Sequence, residues 1–291
     1  MKSLRKVIVV IGPTASGKTK YAIEKAKLCN GEIINCDSLQ VYKDLKILTA
    51  FPTKEEQSEV NHKLFGYLNY DQKISAVDWA KSAAIEIETT LDLGKVPIIV
   101  GGTGLYINTL MQGISPIPNV SEKNRNIANE MAFDNFDEIC ENLYKLDSEL
   151  RNLFPKEKHR QLIRAFEVFL ETGKSIRHFR DLPKTKFIED IDFDINIVNC
   201  EREVLYEKIN LRFDLMLKSG AIEEVESLLK KIDISDRKLL FNKFSIFNAI
   251  GAKEITGYLD GEYSFDEMKD ISKTNSRHYA KRQVTWFKNQ I

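Results

Sequence analysis

The eight residues from Gly12 to Thr19, Gly-Pro-Thr-Ala-Ser-Gly-Lys-Thr, limit the possible folds of this chain more than any other feature. They fit the pattern Gly-x-x-x-x-Gly-Lys-Ser/Thr and lie between an apolar run, Val7 to Ile11, and a segment of helical periodicity. In such a loop, backbone amides and the positive end of the next helix point at one oxyanion. Lys18 adds a mobile cation, and Thr19 is placed to hold Mg²⁺ that bridges to the phosphates. We therefore predict a phosphate- or diphosphate-binding loop formed by Gly12, Pro13, Thr14, Ala15, Ser16, Gly17, Lys18 and Thr19.

Two more runs, Glu32 to Cys36 and Val96 to Val100, predict further strands. Between them, Ser75 and Asp78 fit a helix N-terminal capping box, and Gly94 follows the last turn of the predicted helix. The apolar residues expected on one face of this helix are Val77, Ala80, Ala84, Ile87 and Leu91. Strands that alternate with helices predict an α/β fold, with a mostly parallel sheet flanked by helices.

The composition changes after Gly113, where Pro116 and Pro118 interrupt the chain. Charged, helix-rich sequence without a recognisable strand continues to about Pro183, which predicts a small all-helical insertion domain. A strand-like run from Phe193 to Val198 then predicts a return to the sheet. We predict a first part of the core over residues 1–116, the insertion over 117–186, and the second part of the core, with a basic C-terminal helix, over 187–291.

Charge and composition exclude several classes of protein. Lys plus Arg and Asp plus Glu both number 43 in the 291 residues, so a polyanion would have to bind a local patch. The four cysteines are far apart and form no cluster with the four histidines, which argues against a structural zinc site. No stretch approaches the roughly 18 apolar residues of a membrane span. These features predict a cytoplasmic protein with reduced thiols and no membrane partner.

Two further groups of residues follow predicted strands, where doubly wound sheets bind their ligands. Asp37 comes directly after the second strand and has three interpretations: a Mg²⁺-holding acid, a general base, or an exposed turn residue. Gly101 to Gly104 follow the third strand. These glycines either allow tight helix packing or let a substrate approach backbone amides beside the Thr103 hydroxyl. Because three strand ends would meet in one crevice, the functional interpretations are favoured.

The last segment, from Ser264 onward, opens with a Ser-x-x-Glu capping box and predicts a long helix. Its basic residues are interleaved with Tyr279, Trp286 and Phe287. One interpretation is a solvated amphipathic helix whose aromatic side chains pack on the core, and the other is a polyphosphate-binding face. The basic residues are Lys269, Lys273, Arg277, Lys281, Arg282 and Lys288.

Five separated blocks together resemble the tRNA dimethylallyltransferase family, also called tRNA isopentenyltransferases. They are Gly-Pro-Thr-Ala-Ser-Gly-Lys-Thr (12–19), Asp-Ser-Leu-Gln-Val-Tyr (37–42), Gly-Gly-Thr-Gly-Leu-Tyr (101–106), Arg-Ala-Phe-Glu-Val (164–168) and Ala-Lys-Arg-Gln-Val-Thr-Trp-Phe (280–287). The blocks occur in the order of that family and span nearly the whole chain.

The resemblance implies a P-loop NTPase-like fold that binds dimethylallyl diphosphate, with Mg²⁺ assisting and no obligate protein partner. The implied acceptor is the adenine directly 3′ of the anticodon in tRNA, whose N6 attacks the allylic carbon. It implies that Asp37 is the general base toward N6 and that Thr103 lies beside the reacting base. Lys18 and the loop amides would stabilise the departing diphosphate, and Arg212 would be a further cation.

The resemblance also implies a set of tRNA contacts, in which arginines and lysines position the RNA and the base pocket discriminates. For Arg125 and Arg160, taken without the family pattern, an exposed surface side chain is the simpler interpretation. The tRNA-binding residues implied are Asp37, Ser38, Leu39, Gln40, Thr103, Arg125, Arg160, Gln161, Leu162, Ile163, Arg164, Asn248, Lys253, Arg277, Lys281, Arg282 and Gln283.

Four residues depart from the family pattern. Leu48 stands where a glycine is usual and Phe51 where a lysine is usual, which removes one cation near the substrate. Asn248 and Ala252 replace a basic or polar residue and an aromatic one.

Three alternatives remain open from the sequence. A small-molecule or nucleotide kinase would also use the phosphate loop and an acid after the second strand, and would turn over ATP. An adenylate isopentenyltransferase would use the same chemistry without needing the insertion or the basic helix. A non-catalytic P-loop RNA-binding protein would leave the pairing of Asp37 with Thr103 unexplained.

Overall fold

The computed structural model describes residues 5–290 and contains a parallel sheet flanked by helices. Within that range the sheet has five strands in the order β3-β2-β4-β1-β5. The strands are β1 (Arg5–Ile11), β2 (Gly31–Asn35), β3 (His62–Lys63), β4 (Val96–Gly101) and β5 (Ile191–Ile197). All four strand pairs are parallel, and helices flank the sheet, so the predicted α/β class is confirmed.

The order of the strands brings the three predicted strand ends together. In the centre of the sheet β4 pairs with both β1 and β2, with Ile8 opposite Ile98 and Ile33 opposite Ile98. Residues 7–11 of β1 are all buried, because side chains on both faces of a covered parallel sheet pack in the core. The carboxyl ends of β1, β4 and β2 therefore lie side by side at one edge of the sheet.

Fourteen α-helices and one 3₁₀-helix (Ser245–Asn248) account for most of the other residues from 5 to 290. No helix in this range is long and apolar enough to cross a membrane. The α-helices are α1 (Lys18–Cys29), α2 (Lys54–Glu59), α3 (Ala76–Asp92), α4 (Gly104–Gln112), α5 (Glu122–Asp134), α6 (Phe136–Leu146), α7 (Leu150–Leu153), α8 (His159–Thr172), α9 (Ile176–Arg180), α10 (Arg202–Lys218), α11 (Ala221–Lys230), α12 (Arg237–Lys243), α13 (Ala252–Leu259) and α14 (Phe265–Gln290).

Helix α3 begins where its capping box predicts. Ser75 Oγ accepts a hydrogen bond from the Asp78 amide at 3.1 Å, and the Asp78 carboxylate accepts one from the Ser75 amide at 3.3 Å. Of the predicted apolar face, Ala80, Ala84 and Ile87 are buried, whereas Val77 and Leu91 are only partly so. Trp79 and Ala83, outside the predicted set, are fully buried, because the sheet covers a wider stripe of the helix than one row of side chains.

The chain divides into two compact units. The first runs to Met111 and resumes at Phe187, and it contains the sheet. The second, Gln112–Lys186, contains α5 to α9 and no strand beyond an antiparallel bridge between Ile114 and Thr185. It has a core of its own, built on fully buried side chains of α6 and α8 such as Leu143 and Leu162.

Candidate active site

The phosphate loop connects β1 to α1 through positions that require glycine. A Cβ atom at Gly12 would lie 2.2 Å from the Val198 carbonyl oxygen, so no side chain fits there. Gly17 has φ +92°, a left-handed conformation in which glycine is favoured. The Ser16 amide donates to the Pro13 carbonyl at 3.2 Å and closes the turn. The loop therefore has the shape that the sequence pattern predicts.

Two cations lie against this loop. The Lys18 ammonium donates to the Pro13 carbonyl at 2.7 Å, and the Arg212 guanidinium, from α10, donates to the Thr14 hydroxyl. Although Lys18 as a residue is half-buried, burial of its ammonium group, together with nearby Arg212, lowers its pKa to about 8. Burial also lowers the pKa of Arg212. Two partly desolvated positive charges beside one another favour the binding of an anion between them.

Asp37 shares a cavity of about 400 Å³ with Lys18 and Arg212. It lies two residues after the end of β2, and its Oδ1 accepts a hydrogen bond from the Leu39 amide at 2.9 Å. The Asp37 amide in turn donates to Asn35 Oδ1 at 2.8 Å. The carboxylate uses only Oδ1 in these bonds, so Oδ2 can accept a proton from a ligand in the cavity.

Thr103 joins the end of β4 to the end of β2. Its hydroxyl accepts a hydrogen bond from the Ser38 amide at 3.1 Å, and its amide donates to the Cys36 carbonyl at 3.2 Å. A Cβ atom at Gly101 would lie 2.0 Å from the same Cys36 carbonyl oxygen, so the glycine permits this close approach. Gly101 lines the cavity, whereas Thr103 is not one of its lining residues and bonds instead to Ser38 and Cys36, the two neighbours of Asp37 in the chain.

Gln283, on α14, ties the phosphate loop to the end of β4. Its Oε1 accepts a hydrogen bond from the Thr14 amide at 2.8 Å, and its Nε2 donates to the Gly102 carbonyl at 3.0 Å. The residue is 6% exposed. Both ends of its amide are bonded within the protein, so Gln283 holds the loop in place, while the tRNA contact that the resemblance implies for it stays a prediction.

Comparison with known proteins agrees with this geometry. The IPP transferase family matches residues 40–290 of the chain. The chain belongs to the IPP transferase family. The resemblance seen in the sequence motifs is thereby confirmed.

Relatives within the IPP transferase family match over nearly the whole chain. A tRNA dimethylallyltransferase from Rickettsia felis is 42% identical over 99% of this chain and 91% of its own. A solved tRNA isopentenylpyrophosphate transferase from Bacillus halodurans is 34% identical with a TM-score of 0.69, covering 98% of this chain and 87% of its own. A eukaryotic dimethylallyltransferase acting on tRNA is 28% identical with a TM-score of 0.83, covering 97% of this chain and 69% of its own.

Of the other residues that family resemblance assigns to tRNA, those in the first unit differ in exposure. Ser38, Leu39 and Gln40 are partly buried, and Gln40 lines the cavity, where its amide donates to the Thr49 and Ala50 carbonyls at 2.9 Å each. Arg277 is held by Asn210 at 2.7 Å. The exposed members are Asn248, Lys253, Lys281 and Arg282.

In the second unit the structure separates surface from core. Arg125, Arg160 and Gln161 are exposed, and Arg164 is partly buried and paired with Glu167 at 2.7 Å. Ile163 is also partly buried. Leu162 is fully buried. The side chain of Leu162 therefore packs in the core of this unit and does not contact tRNA as the resemblance implied, because it lies on the apolar face of α8.

Three of the four departures from the family pattern are accounted for by packing, and the exposed Asn248 has no structural explanation. Leu48 and Ala252 are buried in one cluster with Phe213. Phe51 packs edge-on against Phe65 with ring centroids 5.6 Å apart, and the Lys46 ammonium lies 4.9 Å from the Phe51 ring centroid. Where the resemblance predicts a lysine, this chain therefore has an aromatic ring with the ammonium of Lys46 over its face.

Several residues that line the cavity were not predicted from the sequence, and Tyr279 is the clearest. Burial, and then the charge of Asp37, raise the pKa of its hydroxyl, which therefore stays protonated. Lys208 also lines the cavity, one helical turn before Arg212 on α10, a spacing of four that could have indicated it. The further residues are Lys20, Ile33, Thr49, Ala50, Glu56, His62, Phe65 and Val100.

Proposed function

We propose that this protein transfers a dimethylallyl group from dimethylallyl diphosphate to N6 of the adenine directly 3′ of the anticodon in tRNA, releasing diphosphate. The observation that carries the proposal is that Asp37 and the two cations, Lys18 and Arg212, line one cavity at the ends of β1, β2 and β4. A carboxylate opposite a phosphate cradle suits a reaction that needs a base and an anionic leaving group. The names of the relatives, tRNA dimethylallyltransferases, support the same reaction.

The phosphate loop forms the leaving-group end of the site. Negative charge accumulates on the diphosphate as its bond to the allylic carbon breaks. The loop amides, Lys18 and Arg212 are already in place to stabilise that charge, so little reorganisation is needed during the reaction. Because both cations are partly desolvated, their attraction to the diphosphate is screened less than it would be in water.

Asp37 forms the acceptor end. An adenine amino group is a poor nucleophile whose proton must leave as its bond to carbon forms. We assign that proton to Asp37 Oδ2, because Oδ1 is bonded to the Leu39 amide. The base is stacked in the anticodon loop and has to be flipped out to reach the cavity. Thr103 supports this end by fixing Ser38 beside Asp37.

Mg²⁺ fits the donor set of the cavity. Residues 5–290 contain no group of three or more His, Cys, Asp or Glu side chains that could hold a metal. Mg²⁺ commonly binds through only one or two protein oxygens plus substrate phosphates. Thr19 lines the cavity and would supply such an oxygen, and bound Mg²⁺ would neutralise charge on the diphosphate. With tRNA as its substrate, we place the reaction in the cytoplasm, without an obligate protein partner.

The decisive experiment is transfer of label to RNA. The purified protein is incubated with Mg²⁺, radiolabelled dimethylallyl diphosphate and unmodified tRNA, and the label in the RNA is counted. A matched tRNA with guanine in place of the adenine 3′ of the anticodon is the control. We expect label only in the adenine-containing tRNA. No label in either tRNA, with tRNA still bound and ATP turned over, would refute the proposal in favour of a kinase.

A further inference from the structure

Asn35 is the last residue of β2 and holds the backbone of Asp37 on both sides. Its Oδ1 accepts a hydrogen bond from the Asp37 amide at 2.8 Å, and its Nδ2 donates to the Asp37 carbonyl at 3.0 Å. The same Nδ2 donates to the Leu64 carbonyl at 3.0 Å. One side chain therefore pairs both polar groups of the Asp37 main chain and joins them to a neighbouring segment.

Asn35 is itself fixed from two directions. It is fully buried, and its carbonyl accepts a hydrogen bond from the Trp79 indole at 2.9 Å. Its main chain belongs to β2, the second strand of the sheet, where Asn35 is paired with Val100 of β4. A rigid strand end therefore positions the Asn35 amide, and that amide positions Asp37.

Only an amide of this length can make all three bonds. Aspartate has no donor for the two carbonyls at neutral pH, serine has one hydroxyl on a shorter side chain, and leucine has neither donor nor acceptor. A polar group buried this deeply is costly unless it is fully bonded. An apolar residue would fill the same space without the cost of burying a polar group. The presence of an amide here therefore indicates that the hydrogen bonds that fix the turn at Asp37 are needed.

We infer that Asn35 is a positioning residue for the catalytic base, acting only through Asp37. Asn35 does not line the cavity, whereas Asp37 does. With its main chain held by Asn35 and its Oδ1 held by the Leu39 amide, Asp37 has its Oδ2 directed before any substrate binds. Such preorganisation matters because a shift of about 1 Å in a catalytic group can cost about 100-fold in rate. The inference rests on the proposed prenyl transfer.

The test is a double-mutant cycle of Asn35→Ser and Asp37→Ala. Label transfer is measured at a temperature at which even the least stable variant is folded. We expect Asn35→Ser to lower kcat by about 10- to 100-fold, with KM for dimethylallyl diphosphate changed by less than about twofold. In the Asp37→Ala background the same substitution should lower kcat by no more than about twofold. An equal loss in both backgrounds would overturn the inference, since a general weakening of the fold does not depend on Asp37.

Asn196 provides the matched control. It lies on β5, and its amide also donates to a backbone carbonyl, that of Asp194, at 3.0 Å. We expect Asn196→Ala to lower the unfolding temperature without lowering kcat. A loss of kcat in this control as large as that of Asn35→Ser would overturn the inference, because loss of any asparagine side chain in the sheet would then have the same effect.

Amide hydrogen exchange decides the inference if the wild-type protein transfers no label and the proposed function fails. The amides of Asp37 and Leu39 should exchange at least about tenfold faster in Asn35→Ser than in the wild type, since loss of about 1.4 kcal/mol of local stability is tenfold in an opening equilibrium. They should be unchanged in Asn196→Ala. Equal protection in Asn35→Ser and wild type would overturn the positioning role whatever the reaction is.

Discussion

Lys18 shows how the site is prepared for an anion. Its ammonium is enclosed and lies near Arg212, and both effects lower its pKa, to about 8. A bound diphosphate reverses the second effect, because an opposite charge favours the protonated amine. The lysine is therefore close to its titration point in the free enzyme and charged in the complex with diphosphate.

We expect this to appear in the pH dependence of kcat/KM for dimethylallyl diphosphate. A lysine with a lowered pKa is charged below about pH 8 and becomes neutral above it, so kcat/KM should fall as pH rises through 8. The kcat profile should fall only at higher pH, since it reports the filled site. Arginine stays charged over this range, so Lys18→Arg should lose the fall near pH 8 even if its activity is lower. A fall that persists in Lys18→Arg would assign it to another group.

At the level of single residues, the sequence predicts what is local. The phosphate loop is predicted from its own residue pattern, and Asp37 is predicted from its position after a strand. Gln283 and Lys281 stand two residues apart in one basic segment, yet Gln283 is buried and Lys281 is exposed. The sequence does not distinguish them, because that difference arises from the docking of α14 on the sheet. The sequence predicts Asn35 only as part of a strand, because its bond to the Leu64 carbonyl joins residues that are distant in sequence.

Among the elements, α14 does the most to complete the site. It contributes Gln283 between Thr14 and Gly102, and a Cβ atom at Gly102 would lie 2.2 Å from Gln283 Nε2. A Cβ atom at Gly104 would lie 2.4 Å from the Trp286 ring. The glycines after β4 therefore serve mainly to let this helix approach, one of the two interpretations that the sequence left open.

We expect Gln283→Glu to act on the donor and not on tRNA. A carboxylate can still accept a hydrogen bond from the Thr14 amide, but it cannot donate to the Gly102 carbonyl and is repelled by it, so the link between the phosphate loop and the end of β4 should be lost. KM for dimethylallyl diphosphate should rise about tenfold, the effect of roughly one lost hydrogen bond, with the Kd for tRNA unchanged. Arg282→Ala, on the exposed side of the same helix, should raise the Kd for tRNA and leave KM for dimethylallyl diphosphate unchanged. If Gln283→Glu raises only the Kd for tRNA, Gln283 contacts tRNA and does not act on the donor.

Predictions for whole elements succeeded where the signal lies within a few residues. The starts of α3 and α14 follow from their capping boxes, and both boxes are formed. Strand β3 has only two residues, His62 and Lys63, too few for any periodicity. It is held by contacts that are distant in sequence, among them the pairing of Lys63 with Glu32 at 2.9 Å.

That pairing predicts a pH dependence of stability. Glu32 is buried; burial alone would raise its pKa, but hydrogen bonds from Lys95 and Lys63 lower it to about 2. A carboxyl whose pKa is lower in the folded than in the unfolded protein stabilises the folded state at any pH above its pKa in the unfolded protein. This stabilisation is lost as the pH falls toward 2, the pKa in the folded state. We expect Glu32→Gln to lower the free energy of unfolding at pH 7 by about 2–3 kcal/mol.

Urea unfolding at several pH values measures this difference. The gap between wild type and Glu32→Gln should narrow between about pH 4 and pH 2, where the wild-type carboxyl becomes protonated. Glu141→Gln is a suitable control, because its pairing with Lys145 is exposed and should contribute under about 1 kcal/mol. A gap that is constant with pH would mean that the glutamate contributes through packing and not through charge.

For the whole molecule, the balance of charge is the main constraint on how it binds RNA. Its 43 basic and 43 acidic residues leave no net attraction for a polyanion. Binding therefore has to come from local basic surfaces, whose phosphate contacts release counterions and make affinity depend on salt. The sequence predicts which arginines are candidates, but only the structure separates exposed Arg125 and Arg160 from Arg164, which is paired with Glu167.

We expect Arg125→Ala and Arg160→Ala each to weaken tRNA binding and to reduce the slope of log affinity against log salt by about one. Each removes one phosphate contact and leaves the cavity intact, so KM for dimethylallyl diphosphate should not change. Lys145→Ala is the matched control, since it removes the same charge from an exposed position in the same unit, already paired with Glu141. Equal slopes for all three variants and the wild type, measured by filter binding from low to high salt, would show that these arginines are surface residues without contact to RNA.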